Sequence, residues 1–253
     1  MAVTEDLTQD EFLGGRLKVL QPRKGYRAGV DPVLLAASVP AKAGDTVLEL
    51  GCGVGVATLC LTARVAGVAA TGLELQDKYA ALARQNAQQN GLSLDVVTGD
   101  LRHMPEELRQ RQFTHVIMNP PYFDRRAGHA SLDAGRDIAL AGETPLADWI
   151  AAGARRVAPR GYFTLIQRIE RLPEVLTGLS DRMGGIIVRP IAGRANRAPE
   201  LFIVQARHGG RTPFRLAQTL VMHEGATHQQ GTETYTAEIV AVLRNGADLP
   251  MLP

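Results

Sequence analysis

Thr46-Val47-Leu48-Glu49-Leu50-Gly51-Cys52-Gly53-Val54-Gly55 is the stretch on which the fold turns. Thr46 to Leu50 has the β-branched and aliphatic character of a buried strand, three glycines alternate after it, and Val56 to Ala66 then has helical composition. A strand running through a glycine turn into a helix predicts an α/β protein with a largely parallel sheet. Glycine at 51, 53 and 55 lets the backbone approach a ligand closely, and the helix N-terminus offers unpaired N–H groups. A dinucleotide fingerprint of the form G-x-G-x-x-G needs glycine at position 56, where this chain has Val56, which argues against NAD or FAD.

Two carboxylates follow at matching places. The strand expected over Ala69 to Leu73 ends in Glu74, placed to accept both hydroxyls of a ribose. The helix expected over Asp77 to Asn90 ends at Gly91, and the strand Leu94 to Thr98 runs into Gly99-Asp100-Leu101. Asp100 is then level with Glu74, able to accept from the amino group of an adenine while the Leu101 N–H meets a ring nitrogen. A plain Gly-Asp turn accounts for the same residues.

The next strand, Phe113 to Met118, delivers Asn119-Pro120-Pro121-Tyr122-Phe123 to its carboxyl end, where open α/β sheets bind ligands. The two prolines fix φ twice and remove two donors, so the corner offers the Asn119 side-chain oxygen and the Pro120 carbonyl as acceptors. Both suit a planar amino group, whose lone pair is freed for attack when its two hydrogens are held. Tyr122 adds a face for a flat base, an interaction worth about 1–3 kcal/mol. A proline-rich turn after a strand is the plainer alternative.

Upstream, Gln21 to Pro32 is a basic, glycine-containing loop in which Asp31 is placed to cap a helix and Pro32 to begin it. Tyr26 and Asp31 can close over a ligand from there, although an ordinary cap and a surface aromatic read the same way. Residues 1–12 read as a polar lead, and Phe12 to Leu20 as a short strand or hairpin turning at Gly14-Gly15. Downstream, Asp124 to Glu143 is a long connection of the kind used for lids and binding elements. A helix with Trp149, a strand over Gly161 to Ile166, a helix from Pro173, and two strands, Ile186 to Ile191 and Leu201 to Gln205, complete a seven-stranded sheet ending in an antiparallel hairpin. The tail carries a short amphipathic helix over Thr236 to Arg244.

Composition narrows the partners. Net charge is +2, yet residues 101–217 carry 18 basic against 11 acidic side chains, a footprint suited to nucleic acid. Arginine outnumbers lysine 24 to 4, which base composition alone can produce. The acidic start is unlike a signal peptide and no apolar run reaches membrane-spanning length, so a cytoplasmic protein off the membrane is expected. Cys52 and Cys60 are too far apart along a helix for a disulfide, and the six histidines lack metal-ligand spacing, so no metal is expected.

With the glycine turn, Glu74, Asp100 and Asn119-Pro120-Pro121-Tyr122 in register, the chain resembles the class I, seven-stranded, Rossmann-like methyltransferases that use S-adenosylmethionine to methylate amino groups. More narrowly, Gln21-Pro22 through Asp31-Pro32, the Asn119 to Phe123 motif, Arg136 and Tyr235-Thr236 resemble the bacterial tRNA(Val) adenine-37 N6-methyltransferase family. The likeness covers most of the chain and implies transfer from S-adenosylmethionine to adenine N6 in tRNA, leaving S-adenosylhomocysteine. It divides the chain into an N-terminal extension and cofactor-covering loop at 1–30 and a methyltransferase domain at 31–253. Matching cofactor residues are Tyr26, Asp31, Glu49, Gly51, Gly53, Gly55, Glu74, Asp100, Leu101 and Asn119, and matching catalytic residues are Asn119, Pro120, Pro121 and Tyr122.

Arg23, Lys24, Arg125, Arg126, Arg136, Arg194 and Arg197 are the candidates for tRNA phosphates, none matched residue by residue. Three rivals stay open: a guanine N2 methyltransferase of ribosomal RNA, a glutamine methyltransferase of a release factor, and a silent RNA-binding module on the same fold. The resemblance sets neither the tRNA nor the oligomeric state.

Overall fold

The computed structural model describes residues 6–122, 144–179, 182–225 and 234–252. Near its start, β1 (Leu7–Phe12) and β2 (Leu17–Pro22) pair antiparallel, with Leu7 opposite Pro22 and Phe12 opposite Leu17. From Leu7 onward the expected polar lead is therefore a strand. Its polar residues hid a period of two, in which Gln9 and Glu11 face solvent while Asp10 and Phe12 are half-buried. Leu13, Leu17 and Val19 of this hairpin are buried in the same cluster as the first helices.

The hairpin is held by two asparagines one turn apart at the end of a helix. On α3 (Asp77–Gln89), after α1 (Asp31–Ser38) and α2 (Val56–Arg64), the fully buried Asn86 accepts from Leu20 N at 2.8 Å and donates to Leu20 O at 3.1 Å and to Val54 O at 3.0 Å. Asn90 accepts from Lys18 N at 2.9 Å and donates to Lys18 O at 2.8 Å. These amides stand where a neighbouring strand would, and Asn86 also ties the hairpin to the glycine turn. Asn86→Ala leaves three backbone groups without this partner and is expected to lower stability by about 3 kcal/mol in urea denaturation. A loss below about 1 kcal/mol would contradict that role.

The main sheet is organised around β3 (Thr46–Leu50). On one side lie β4 (Ala69–Glu74) and β5 (Asp95–Thr98), on the other β6 (Phe113–Met118) and β7 (Val157–Arg168), all parallel. Beyond β7, β9 (Leu201–His208) runs antiparallel between β7 and β8 (Met183–Arg194), the expected terminal hairpin. Because β9 opposes both neighbours, β8 ends at the same sheet edge as β6 and β7. Two further strands, β10 (Arg215–Leu216) and β11 (Leu220–His223), add parallel to the outer edge of β8. The seven strands read from the sequence are β3 to β9; the tail supplies two more.

Both faces are covered, as parallel strands require. Val116 and Met118 pack in one cluster with Trp149 and Ile150 of a helix at Leu146–Arg156, whereas Ile117 between them packs in the other with α1 and α2. Chain order reverses between β3 and β6, and a crevice opens there at the carboxyl ends of the strands. Among the described residues no helix is long and apolar enough to cross a membrane.

Candidate active site

The crevice is a cavity of about 320 Å3. Its floor is the glycine turn. Gly51 and Gly53 lie at φ +67° and +55°, and a Cβ on Gly51 would fall 2.5 Å from the ring of Trp149, so no side chain fits there. Gly53 N donates to Glu74 Oε2 and Gln76 N to Glu74 Oε1, each at 2.9 Å. Glu74 is 6% exposed; burial raises its pKa, opposed by the backbone N–H groups that hold it. Its carboxylate is thus oriented in the cavity wall with lone pairs remaining for a diol.

Glu49, 3% exposed, accepts at Oε2 from Thr58 N at 3.0 Å and from Thr58 Oγ1, which locks it to the first turn of α2. Burial pushes its pKa up to about 8; the Thr58 hydrogen bonds oppose this and the charge of Glu74 adds to it. A folded-state pKa above the ordinary 4.5 makes a contribution to stability that is complete below about pH 4.5 and is lost as pH rises through about 8. Glu49→Gln, neutral throughout, is expected to remove that loss, which amounts to at most about 5 kcal/mol. Denaturant titrations at pH 5 and pH 8 check it: the wild type should weaken relative to the variant as pH rises, and parallel profiles would contradict the assignment.

Asp100 and Leu101 also line the cavity. Burial works against the charged form of Asp100, but hydrogen bonds and charge from Arg102 outweigh it and hold the carboxyl below its ordinary value. Arg102 N reaches Asp100 Oδ1 at 2.8 Å and His103 Nδ1 lies 3.5 Å from Oδ2.

The Asn119 corner faces the same cavity. Asn119 Nδ2 donates to Tyr26 Oη at 3.5 Å, a long contact, and Oδ1 has no hydrogen-bond partner among the described residues. The Tyr122 hydroxyl donates to Asp31 Oδ2 at 2.6 Å. Asp31 is therefore no N-cap: Val30 occupies that position without a side-chain bond, Asp31 begins the helix, and its carboxylate is drawn to Tyr122. Burial, and then the charge of Asp31, raises the Tyr122 pKa, so the hydroxyl stays protonated. Tyr26 is anchored through its backbone, its N donating to Tyr79 Oη at 3.1 Å.

Two candidates are placed differently from the rest. Gly55 is not among the residues lining the cavity; at φ +91° it is the N-cap of α2, and a Cβ there would press on Leu94, Ala83 and Leu59, so the residue serves the turn and its packing. Arg194 is not a solvent-facing tip: it is 8% exposed and donates to the carbonyls of Glu224 and Gly225, pinning the tail to β8. Arg23, Lys24 and Arg197 are exposed. Phe123, Arg125, Arg126 and Arg136 lie outside the described residues. Trp149, Tyr79 and Gln76 line the cavity without having been singled out for it, since an aromatic or amide on a helix reads as packing or solvated surface.

A buried carboxylate beside a side-chain-free turn fits a ribose and a nearby backbone-bound group, and the acceptor corner opposite it fits an amino group. Fold and cavity together define a class I S-adenosylmethionine-dependent methyltransferase. Residues 28–146 match the Methyltransferase small domain family. A tRNA1(Val) (adenine(37)-N6)-methyltransferase of Shewanella sp. (strain MR-7) is 32% identical over 162 residues, 62% of this chain and 67% of the relative. One of Porphyromonas gingivalis (strain W83) is 27% identical over 228 residues, 85% and 88% of the two chains. The chain belongs to the tRNA1(Val) (adenine(37)-N6)-methyltransferase family. In fold it is similar to a predicted O-methyltransferase from Agrobacterium tumefaciens, with a TM-score of 0.68 at 24% identity over 87% of this chain and 98% of that one. At that identity the likeness speaks for the fold alone.

Proposed function

We propose that this methyltransferase acts on the N6 amino group of an adenine in tRNA, adenine 37 of tRNA(Val), in the cytoplasm. The observation that carries the reading is the shared cavity: Asn119, Pro120 and Tyr122 face the space bounded by Glu74 and the glycine turn. The family's relatives bear the name of that reaction.

When bound, S-adenosylmethionine supplies an electrophilic methyl group on a sulfonium centre. Glu74 would hold its ribose, and Gly51 and Gly53 would let it lie against the turn; Asp100 and Leu101 would meet its adenine. On the acceptor side, Asn119 Oδ1 takes one hydrogen of the substrate amino group and the Pro120 carbonyl takes the other, so the nitrogen lone pair turns out of the ring plane. Asp31 fixes the Tyr122 ring as the face on which the flipped base stacks. The proton released from the methylated nitrogen goes to water. Arg23, Lys24 and Arg197 would meet phosphates, joined by the exposed Arg168, whose charge acts on the Tyr122 hydroxyl. Arg125, Arg126 and Arg136 remain candidates for the same role.

Transcripts of tRNA(Val) with adenine or guanine at position 37 test the acceptor. Labelled methyl should enter the first and be absent from the second. Equal labelling of both would overturn the choice of adenine 37.

A further inference from the structure

We infer that Gln167, a buried residue of β7 that makes no contact with cofactor or base in the proposed function, is a positioning residue for amino-group transfer. The inference rests on that reading of the Asn119 corner and adds the element that sets the direction of the Pro120 carbonyl.

The β6–β7 ladder pairs Ile117 with Thr164 and Met118 with Leu165. Continued two residues, that register brings Pro120 level with Gln167. The backbone ladder cannot continue there, because Pro120 and Pro121 have no N–H to give. Gln167 instead donates from its side chain, Nε2 to Pro120 O at 3.3 Å, and its own Oε1 accepts from Arg168 N at 2.9 Å. Both ends of the amide are therefore engaged, and the side chain is 0% exposed. A glutamine buried this completely is a costly residue unless its polar ends are used.

The bond matters through one dihedral. Proline rings lock φ at 120 and at 121, and the prolyl peptide between them is planar, so the direction of the Pro120 carbonyl depends on ψ of Pro120 alone. A carbonyl oxygen has two lone pairs. Gln167 takes one from inside the sheet and thereby aims the other toward the cavity that Pro120 lines. Without the amide, the oxygen that should receive a substrate hydrogen is free to swing. A misplacement of about 1 Å is enough to cost about 100-fold in rate.

Two variants test this. Gln167→Met keeps the volume and loses the donor. We expect kcat to fall about 10- to 100-fold, with the KM for RNA and the dissociation constant of S-adenosylhomocysteine each within about threefold of wild type. Gln167→Glu donates only while its carboxyl is protonated, so the ratio of its kcat to that of wild type should decline as pH rises, measured where circular dichroism shows both proteins folded. A purely structural role predicts instead a lower melting temperature, with the ratio independent of pH among folded molecules. Wild-type kcat in Gln167→Met, or a fall shared by cofactor affinity, would overturn the inference; if that variant does not fold, a pH-independent ratio for Gln167→Glu would do so. The ratios are taken on whichever amino acceptor the wild type methylates, so a different acceptor defeats the tRNA reading without deciding this one.

Discussion

Asn119→Ala should lower methyl transfer about 100- to 1,000-fold while leaving cofactor affinity within a few-fold of wild type. The side chain offers the amide acceptor oxygen of the corner, and its Nδ2 contact to Tyr26 is too long at 3.5 Å to carry much cofactor binding. The substrate amino group would keep the Pro120 carbonyl for one hydrogen and lose its partner for the other, so its lone pair would remain in the ring system. Single-turnover rates, with S-adenosylhomocysteine titrated by calorimetry, separate the two effects. Equal losses in rate and affinity would mean that Asn119 builds the cofactor site and takes no part in the transfer.

Glu74→Ala is expected to weaken the cofactor about 100-fold or more, since a bidentate carboxylate contact to a ribose involves two hydrogen bonds to a charged group, each worth about 1.5–3 kcal/mol. Glu74→Gln should be nearly as damaging. Both carboxylate oxygens already accept backbone N–H groups, from Gly53 and Gln76, so an amide turned either way sets its NH2 against a donor. The glycine turn then loses part of its own support. Calorimetric titration with S-adenosylhomocysteine reads the effect, and near-normal affinity in Glu74→Gln would show that the carboxylate holds the turn alone.

What could be read from the sequence was what repeats along it. Phe113 to Met118 is legible because a central parallel strand is buried on both faces at its carboxyl end, giving the apolar run Val116-Ile117-Met118. The glycine turn and Glu74 are legible because their spacing follows from backbone geometry. β10 and β11 are not: they are two and four residues long and exist because β8 presents an edge to the tail. β1 was hidden by polar residues on its exposed side, and Asp31 by its place before a helix, which mimics a cap until Tyr122 is brought to it across the fold. Arg194 reads as a charged tip because nothing local reveals the two carbonyls that bury it. Gln167 has no sequence signal at all, since its meaning depends on the register between two strands.

Transfer of a methyl group to an adenine amino nitrogen of tRNA, as proposed, leaves a nucleoside that can be identified directly. Incubation of the protein with labelled S-adenosylmethionine and total tRNA from a strain lacking it, followed by nucleoside mass spectrometry, reads that product. Label is expected in N6-methyladenosine. Label confined to N2-methylguanosine, to ribosomal RNA or to a protein glutamine, or the absence of any transfer, would contradict it.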